Sequence, residues 1–202
     1  METKIVGFSS EELIVTIRKG KVVAFPTETV YGLGVVANSR RAFESLIEVK
    51  KRRPDKPFTL MLSSPEEIGE YAVVDEKARR IIDGFMPGEI TLLLPPKSGI
   101  APWIRLDSPY IGVRVSGSEE VSAMIARVGT PMLVTSANVS GEKTCADFES
   151  TSEVFSGKIP IIVKGETASR LPSTIVIVDD KLTLVRQGTI SFEEIKKTWR
   201  KN

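Results

Sequence analysis

The fold class is decided by the stretch IGVRVSGSEEVSAMIARVGTPMLVT, residues 111–135. Its apolar ends, at 111–115 and 132–135, predict two buried strands. Between them, Ser118 and the helically spaced apolar residues that follow it predict a helix that ends near Val128. A strand, a helix and a further strand in this order are typical of an α/β fold.

The same alternation extends in both directions along the chain. Further strands are predicted at 21–25, 58–62, 90–94, 161–163, 174–178 and 182–186. Helices are predicted at 10–20, 38–52, from 64, at 75–85 and at 192–201. The last two strands are predicted to form an antiparallel hairpin, whereas helical crossovers favour parallel pairs, so the sheet is expected to be mixed.

Composition restricts the chemistry. The chain has 202 residues, a formal net charge of only +2, a single cysteine and no histidine. Without histidine, a Ser-His-Asp triad and imidazole-dependent zinc sites are excluded, and a single cysteine excludes an internal disulfide. No apolar run approaches the length that spans a bilayer, and nothing resembles a signal peptide, so we expect a cytoplasmic protein.

Three polar segments follow predicted strands or helices, where α/β proteins collect ligands. They are PTETVYGLG at 26–34, KKRRPDKP at 50–57 and SANVSG at 136–141. Cations, hydroxyls and glycines that converge in this way suit a chain of phosphates. The sequence contains neither a P-loop nor a dinucleotide-binding glycine pattern, so we predict an anion site of another type.

Six motifs in a fixed order extend this interpretation. They are PTETVYGLG at 26–34, Lys50-x-Arg52 with Pro57, Pro87-Gly88 with Thr91, GVRV at 112–115, SANVSG at 136–141, and STIV at 173–176 followed by RQG at 186–188. Together they closely resemble the YrdC/TsaC family, and they cover the chain from about residue 9 to residue 188. The resemblance implies an α/β, single-domain, open twisted mixed sheet with flanking helices and a positively charged concave surface. The YrdC-like domain would span 9–190, and a C-terminal helix at 191–202 would belong to the same unit.

The resemblance also implies an activity. Members of this family make L-threonylcarbamoyladenylate and pyrophosphate from L-threonine, bicarbonate and ATP, for threonylcarbamoyladenosine in tRNA. The chain would then be a nucleotidyltransferase that uses Mg²⁺ with ATP, holds no metal site of its own and needs no membrane. A TsaD-type transferase complex is the implied partner, and tRNA is a further possible one. Because carbamate and triphosphate are both anionic, such a reaction needs cations and positioning more than a histidine base.

The resemblance assigns roles to individual residues. The expected catalytic residues are Lys50, Arg52, Ser136 and Asn138. The expected contacts of L-threonine are Thr29, Tyr31, Arg114 and Ser173, with Arg114 as a bidentate partner of the carboxylate. The expected nucleotide-binding residues are Arg52, Lys56, Ser136, Asn138, Thr144 and Arg186.

Two departures and two alternatives accompany this hypothesis. Met61 stands where family members often have a histidine in the threonine pocket, and the chain resembles the short form that has no extra C-terminal domain. The main alternative to this activity is a non-catalytic function, in which the protein binds tRNA or double-stranded RNA through a basic face. Carbamoyl transfer, as in the YrdC-like part of hydrogenase maturation proteins, is a second one, although those proteins carry cysteine-rich zinc modules.

Overall fold

A computed structural model describes residues 1–53, 56–169 and 171–200 of the chain. Residues 54 and 55 of the predicted cationic segment, and the predicted end of the last helix at residue 201, lie outside the described residues. No helix in the described ranges is both long and apolar enough to cross a membrane.

Ten strands form one sheet in the described part of the chain. In chain order they are β1 Lys4–Val6, β2 Val23–Pro26, β3 Tyr31–Val36, β4 Thr59–Leu62, β5 Ile90–Leu94, β6 Ile111–Val115, β7 Met132–Ser136, β8 Ile161–Val163, β9 Thr174–Val178 and β10 Leu182–Arg186. Their spatial order is β1-β8-β2-β3-β7-β4-β6-β5-β9-β10. The central strands are largely buried, and most of their residues are apolar.

Among the residues that the structure describes, eight α-helices flank this sheet. They are α1 Glu11–Arg18, α2 Arg40–Lys50, α3 Ile68–Tyr71, α4 Glu76–Phe85, α5 Pro102–Arg105, α6 Glu119–Val128, α7 Phe148–Phe155 and α8 Phe192–Arg200, with a 3-10 turn at Pro65–Glu67. The side chain of Ser39 caps the N-terminus of α2: its hydroxyl oxygen accepts a hydrogen bond from the Ala42 amide at 3.2 Å. The helix ends at Lys50 because Lys51 adopts a left-handed conformation with φ 49°.

The pairing confirms the predicted mixed sheet. The hairpin of β9 and β10 is antiparallel, and β4 runs parallel to β6, as does β5 to β9. The crossover through α6, from β6 to β7, does not join neighbouring strands, since β4 lies between β6 and β7. Antiparallel pairing of β4 with β7 brings the end of β7 to the start of β4, so the loops after β7 and α2 can meet.

The segment 26–34 differs from its predicted loop conformation. Only residues 27–30 connect two strands, because Tyr31–Val36 is strand β3 and pairs with both β2 and β7. Gly34 permits this close packing, since a Cβ there would lie 2.8 Å from Cε1 of Phe25. Two glycines within the strand hide its apolar alternation, and for this reason the sequence suggests a loop. Strand β1 and helices α5 and α7 are also absent from the sequence-based prediction.

The C-terminal helix packs against the body of the protein. Ile195 of α8 is fully buried, and Lys77 of α4 lies with its ammonium group 4.4 Å from the ring centroid of Trp199. Gly84 allows the two helices to approach, because a Cβ there would meet Thr198 at 3.4 Å. Helix α8 is therefore held to the same sheet-and-helix body as the rest of the chain.

Candidate functional site

A cavity of about 350 Å³ opens beside the sheet and is lined by residues of several of its strands; we call it the central cavity. Its walls come from the 27–32 region, from the chain after α2, from the middle of the sheet and from the 172–186 region. The lining side chains with ionisable groups are Arg52, Lys56, Arg114 and Arg186, besides the phenol of Tyr31. Among the described residues no carboxylate lines this space. The central cavity therefore suits an anionic ligand.

Lys50, Ser136 and Asn138 form one hydrogen-bonded cluster at one end of the cavity. The Lys50 ammonium donates to the carbonyl oxygen of Ser136 at 2.5 Å, to its Oγ at 3.3 Å, and to Oδ1 of Asn138 at 2.5 Å. The Ser136 hydroxyl bonds the same Asn138 oxygen at 2.8 Å. The amide nitrogen of Asn138 donates to the carbonyls of Val139 and Glu142, which fixes the orientation of its side chain.

Lys50 lies behind the cavity surface and does not line it. Only 2% of the residue is exposed, and its ammonium group is hydrogen-bonded to Ser136, which does line the cavity. Burial and the neighbouring charge of Arg52 lower the pKa of Lys50 from 10.5 to about 8. This geometry favours an indirect role for Lys50 over a direct contact with phosphate. Lys50 orients the side chains of Ser136 and Asn138, and its ammonium group adds positive charge near them.

Arg52 and Lys56 bring two more cations to the same end of the cavity. Arg52 donates from Nε to the carbonyl of Lys56 at 3.2 Å and from Nη2 to that of Pro57 at 2.9 Å. Its guanidinium also lies 5.0 Å from the ring centroid of Phe58. These contacts hold Arg52 at the cavity wall. The phosphate-binding role that the family resemblance implies for Arg52 stays a prediction.

Arg114, from β6, lies at the other end of the cavity and forms a buried ion pair. Its Nη2 donates to Oε1 of Glu28 at 2.6 Å and to Oγ1 of Thr29 at 3.0 Å. Its Nε is also buried, yet finds no hydrogen-bond acceptor within the described ranges. Unused buried donors are costly, and this one belongs to a residue that lines the cavity.

Ser173 and Arg186 complete this second end. The Ser173 hydroxyl lies 2.9 Å from Oγ1 of Thr91, and Arg186 donates to the Ser173 carbonyl from both Nε and Nη2 at 3.0 and 2.9 Å. Burial, and then the charge of Arg114, lower the pKa of Arg186. The guanidinium groups of Arg114 and Arg186 therefore both contribute positive potential to the same end of the central cavity.

Tyr31 and Thr144 fit their expected roles less well. The Tyr31 phenol donates toward the backbone carbonyls of Val163 and Gly165, at 3.0 and 2.8 Å, and Tyr31 is fully buried. Its hydroxyl thus ties β3 to the end of β8, although Tyr31 does line the cavity. Thr144 is partly buried in the loop before Cys145 and is not among the lining residues.

Glu28 and Ser116 are polar residues of this site that sequence reasoning passed over. Glu28 lies inside the quoted 26–34 segment, but a lone carboxylate in a motif expected to bind anions gave no reason to single it out. Ser116 directly follows β6 and donates a hydrogen bond to Oε2 of Glu28. Glu28 belongs to the site because it pairs with Arg114, 86 positions away in the sequence, and this contact exists only in the folded chain.

The described residues provide no metal centre. They contain no group of three or more histidine, cysteine, aspartate or glutamate side chains that could hold an ion. Glu28, the acid bonded to a lining residue, is already engaged with Arg114 and Ser116. A divalent ion at this site would fit best as part of a phosphate-bearing ligand that supplies the oxygen donors.

The fold and the site define a class: an open mixed α/β sheet that bears a cationic cavity suited to an anionic ligand. Comparison with known proteins then places the chain within that class. The family model Sua5_yciO_yrdC, described as "Telomere recombination", matches residues 15–188. The chain belongs to this Sua5/YciO/YrdC family, which confirms the resemblance found in the sequence.

Individual relatives agree with this assignment. The chain is 36% identical over 187 residues to the threonylcarbamoyl-AMP synthase of Pyrococcus abyssi, covering 90% of this chain but only 54% of that protein. It thus spans about half the length of that relative. The threonylcarbamoyl-AMP synthase of Buchnera aphidicola is 31% identical, with coverage of 89% of this chain and 98% of that one.

A solved structure supports the same fold. The crystal structure of P. abyssi Sua5 complexed with L-threonine superposes with a TM-score of 0.90 at 32% identity, over 97% of this chain and 61% of that one. Two of these relatives are thus named threonylcarbamoyl-AMP synthases, and the Sua5 structure is a complex with L-threonine.

Proposed function

We propose that this protein is a threonylcarbamoyl-AMP synthase, a nucleotidyltransferase that converts L-threonine, bicarbonate and ATP to L-threonylcarbamoyladenylate, pyrophosphate and water. The observation that carries the proposal is the convergence of two cationic clusters on one cavity of about 350 Å³. One cluster contains Lys50, Arg52 and Lys56, and the other contains Arg114 and Arg186. The names of the relatives supply the chemistry that this arrangement can serve.

The first cluster is the proposed phosphate end. Arg52 and Lys56 would face the triphosphate, together with Ser136, which also lines the cavity. Asn138 and Lys50 are not among the lining residues and would act through Ser136, to which both are hydrogen-bonded. A carbamate oxygen must approach the α-phosphorus of ATP against the repulsion of two anions. Fixed cations lower this repulsion without reorganisation, and they also stabilise the pyrophosphate that leaves.

The second cluster is the proposed amino-acid end. The orphaned Nε of Arg114 offers a donor to the carboxylate of L-threonine, while Thr29, Thr91 and Ser173 provide hydroxyls nearby. Met61 pairs in register with Arg114 and supplies apolar bulk at the cavity wall. With both substrates held in one cavity, the reacting groups would meet at a high effective concentration.

Mg²⁺ would enter this site with ATP as part of the substrate. The phosphate oxygens would be its ligands, consistent with the lack of a carboxylate cluster in the described chain. The product is a mixed anhydride that water can cleave, so we propose that a TsaD-type transferase consumes it. Direct contact with tRNA is a further part of the proposal and rests on the family alone.

Pyrophosphate release from ATP tests the reaction. We expect release only when L-threonine, bicarbonate and Mg²⁺ are all present, with threonylcarbamoyl-AMP detectable by mass spectrometry. Omission of each component in turn provides the controls. Salt-sensitive RNA binding without any pyrophosphate release would contradict the proposal and favour the RNA-binding alternative.

A further inference from the structure

The two ends of the central cavity balance their positive charge differently. At the phosphate end, the ammonium group of Lys50 is met by three neutral oxygens, from the Ser136 carbonyl, the Ser136 hydroxyl and the Asn138 amide. At the amino-acid end, Arg114 meets a full carboxylate, that of Glu28. Both cations are buried, so exposure does not account for the difference.

Glu28 is firmly held in this position. Its Oε1 lies 2.6 Å from Nη2 of Arg114, Oε2 accepts the hydroxyl of Ser116, and the backbone of Gly117 donates to it as well. Burial raises the pKa of Glu28, but Arg114 and the hydrogen bonds outweigh it and leave the pKa below 4.5. The carboxylate is therefore ionised near neutral pH, and it sits behind Arg114 and does not line the cavity.

We propose that Glu28 is a specificity-determining residue: by neutralising Arg114, it makes the amino-acid end of the cavity accept a carboxylate and reject a phosphate. The inference rests on the proposed function, because it takes the Arg114 end as the site of the amino acid. Glu28 touches neither substrate and acts through Arg114.

The physical basis is the charge of the competing ligands. A carboxylate carries one negative charge, whereas a phosphate group carries about −1.5 to −2 near pH 7. The negative charge of Glu28 lowers the positive electrostatic potential around Arg114. The loss in binding energy is proportional to the charge of the ligand, so it is larger for phosphate than for a carboxylate. Arg186 adds a second guanidinium to the same space, so without Glu28 two cations would attract phosphate to the wrong end.

The test compares wild type with Glu28→Gln, which keeps the shape of the side chain and removes its charge. Inorganic phosphate and L-threonine are titrated separately and in competition, by calorimetry at constant ionic strength. We expect phosphate not to displace L-threonine from wild type. In Glu28→Gln, phosphate should bind at a site from which L-threonine displaces it, with affinity there increased roughly tenfold or more.

Two further variants locate and control the effect. Glu44→Gln removes a glutamate that also pairs with an arginine, Arg40 at 3.0 Å, but on the exposed face of α2. The Glu44→Gln variant should bind phosphate with the same affinity as wild type. The double variant Glu28→Gln, Arg114→Gln should lose the new phosphate site, since the unbalanced cation is gone.

Several outcomes would overturn the proposal. It is wrong if phosphate displaces L-threonine from wild type at millimolar concentration, a measurement that needs no variant to fold. It is also wrong if folded Glu28→Gln binds phosphate no more tightly than Glu44→Gln. Failure of wild type to bind L-threonine would instead refute the proposed function, while the phosphate titrations would still decide whether Glu28 excludes phosphate from Arg114.

Discussion

The ammonium group of Lys50 lies 2.5 Å from Oδ1 of Asn138, although 88 positions separate the two residues. Lys50 is the last residue of α2, and Asn138 follows β7. The contact is reinforced by the backbone, because the Ser140 amide donates to the carbonyl of Lys50 at 2.8 Å. The end of a helix and a loop beyond a strand are thereby joined into one side of the cavity.

This contact predicts a pH dependence. The pKa of Lys50 is lowered from 10.5 to about 8, mainly by burial, so the free protein loses this charge as the pH rises through about 8. Since kcat/KM reports the free enzyme, we expect kcat/KM for ATP to fall above pH 8. In Lys50→Met, kcat/KM should drop by roughly a hundredfold and the fall above pH 8 should disappear. A fall that persists unchanged in Lys50→Met would assign it to another group.

The same pKa makes a prediction about stability. Because the folded pKa is lower than the unfolded one, burying charged Lys50 costs about 3 kcal/mol below pH 8, and the cost disappears between about pH 8 and 10.5. The free energy of unfolding of wild type should therefore rise relative to Lys50→Met across this window. Urea unfolding of both proteins at several pH values measures the difference. A constant difference would contradict the lowered pKa.

Arg114→Lys should separate the two substrates. Lysine keeps a charge beside Glu28 but lacks the fork that a carboxylate can accept, so KM for L-threonine should rise roughly tenfold or more, with KM for ATP unchanged. Steady-state pyrophosphate release measures both constants. Arg40→Lys, at an exposed ion pair on α2, is the matched control and should change neither. An increase in KM for ATP alone would place Arg114 at the nucleotide.

Tyr31→Phe tests whether the phenol is structural. Its loss leaves the backbone groups of Val163 and Gly165 without a buried partner, which should lower the free energy of unfolding by about 1–3 kcal/mol. KM for L-threonine should stay within about twofold of wild type, because the hydroxyl is directed to the backbone. Chemical denaturation and kinetics measure the two effects. A large rise in KM for L-threonine with unchanged stability would instead support the contact between Tyr31 and L-threonine that the family resemblance implies.

Gly34→Ala tests the packing of β3. The new methyl group would lie 2.8 Å from Cε1 of Phe25 and 2.9 Å from Cε of Met132, so we expect destabilisation by about 1–3 kcal/mol. Gly69→Ala is the control, because a Cβ at Gly69 in helix α3 meets nothing within 4 Å. Thermal unfolding should show a lower Tm for Gly34→Ala alone. Equal Tm values would mean that Phe25 and Met132 adapt without cost.

Most of the helices and most of the strands could be predicted from local sequence, since each of these carries its own signal; helices α5 and α7 and strand β1 were not predicted. Ser39 and Asp75 cap the helices that they precede, each by accepting a hydrogen bond from a backbone amide. Strand β3 gave no such signal, because Gly32 and Gly34 interrupt its apolar pattern. Neighbouring strands explain these glycines: they leave no room for a Cβ at Gly34 and would crowd one at Gly32, 3.1 Å from Val134.

The candidate site divides in the same way. The sequence alone determined which residue types were present: no histidine, a cationic segment after α2, and a polar loop after β7. Only the tertiary structure decided that Lys50 lies behind the cavity, that the Tyr31 phenol is turned to the backbone and that Glu28 neutralises Arg114. The physical reason is that residue type and helix or strand signals are local. Burial, ion pairing and side-chain direction depend instead on contacts between residues far apart in the chain.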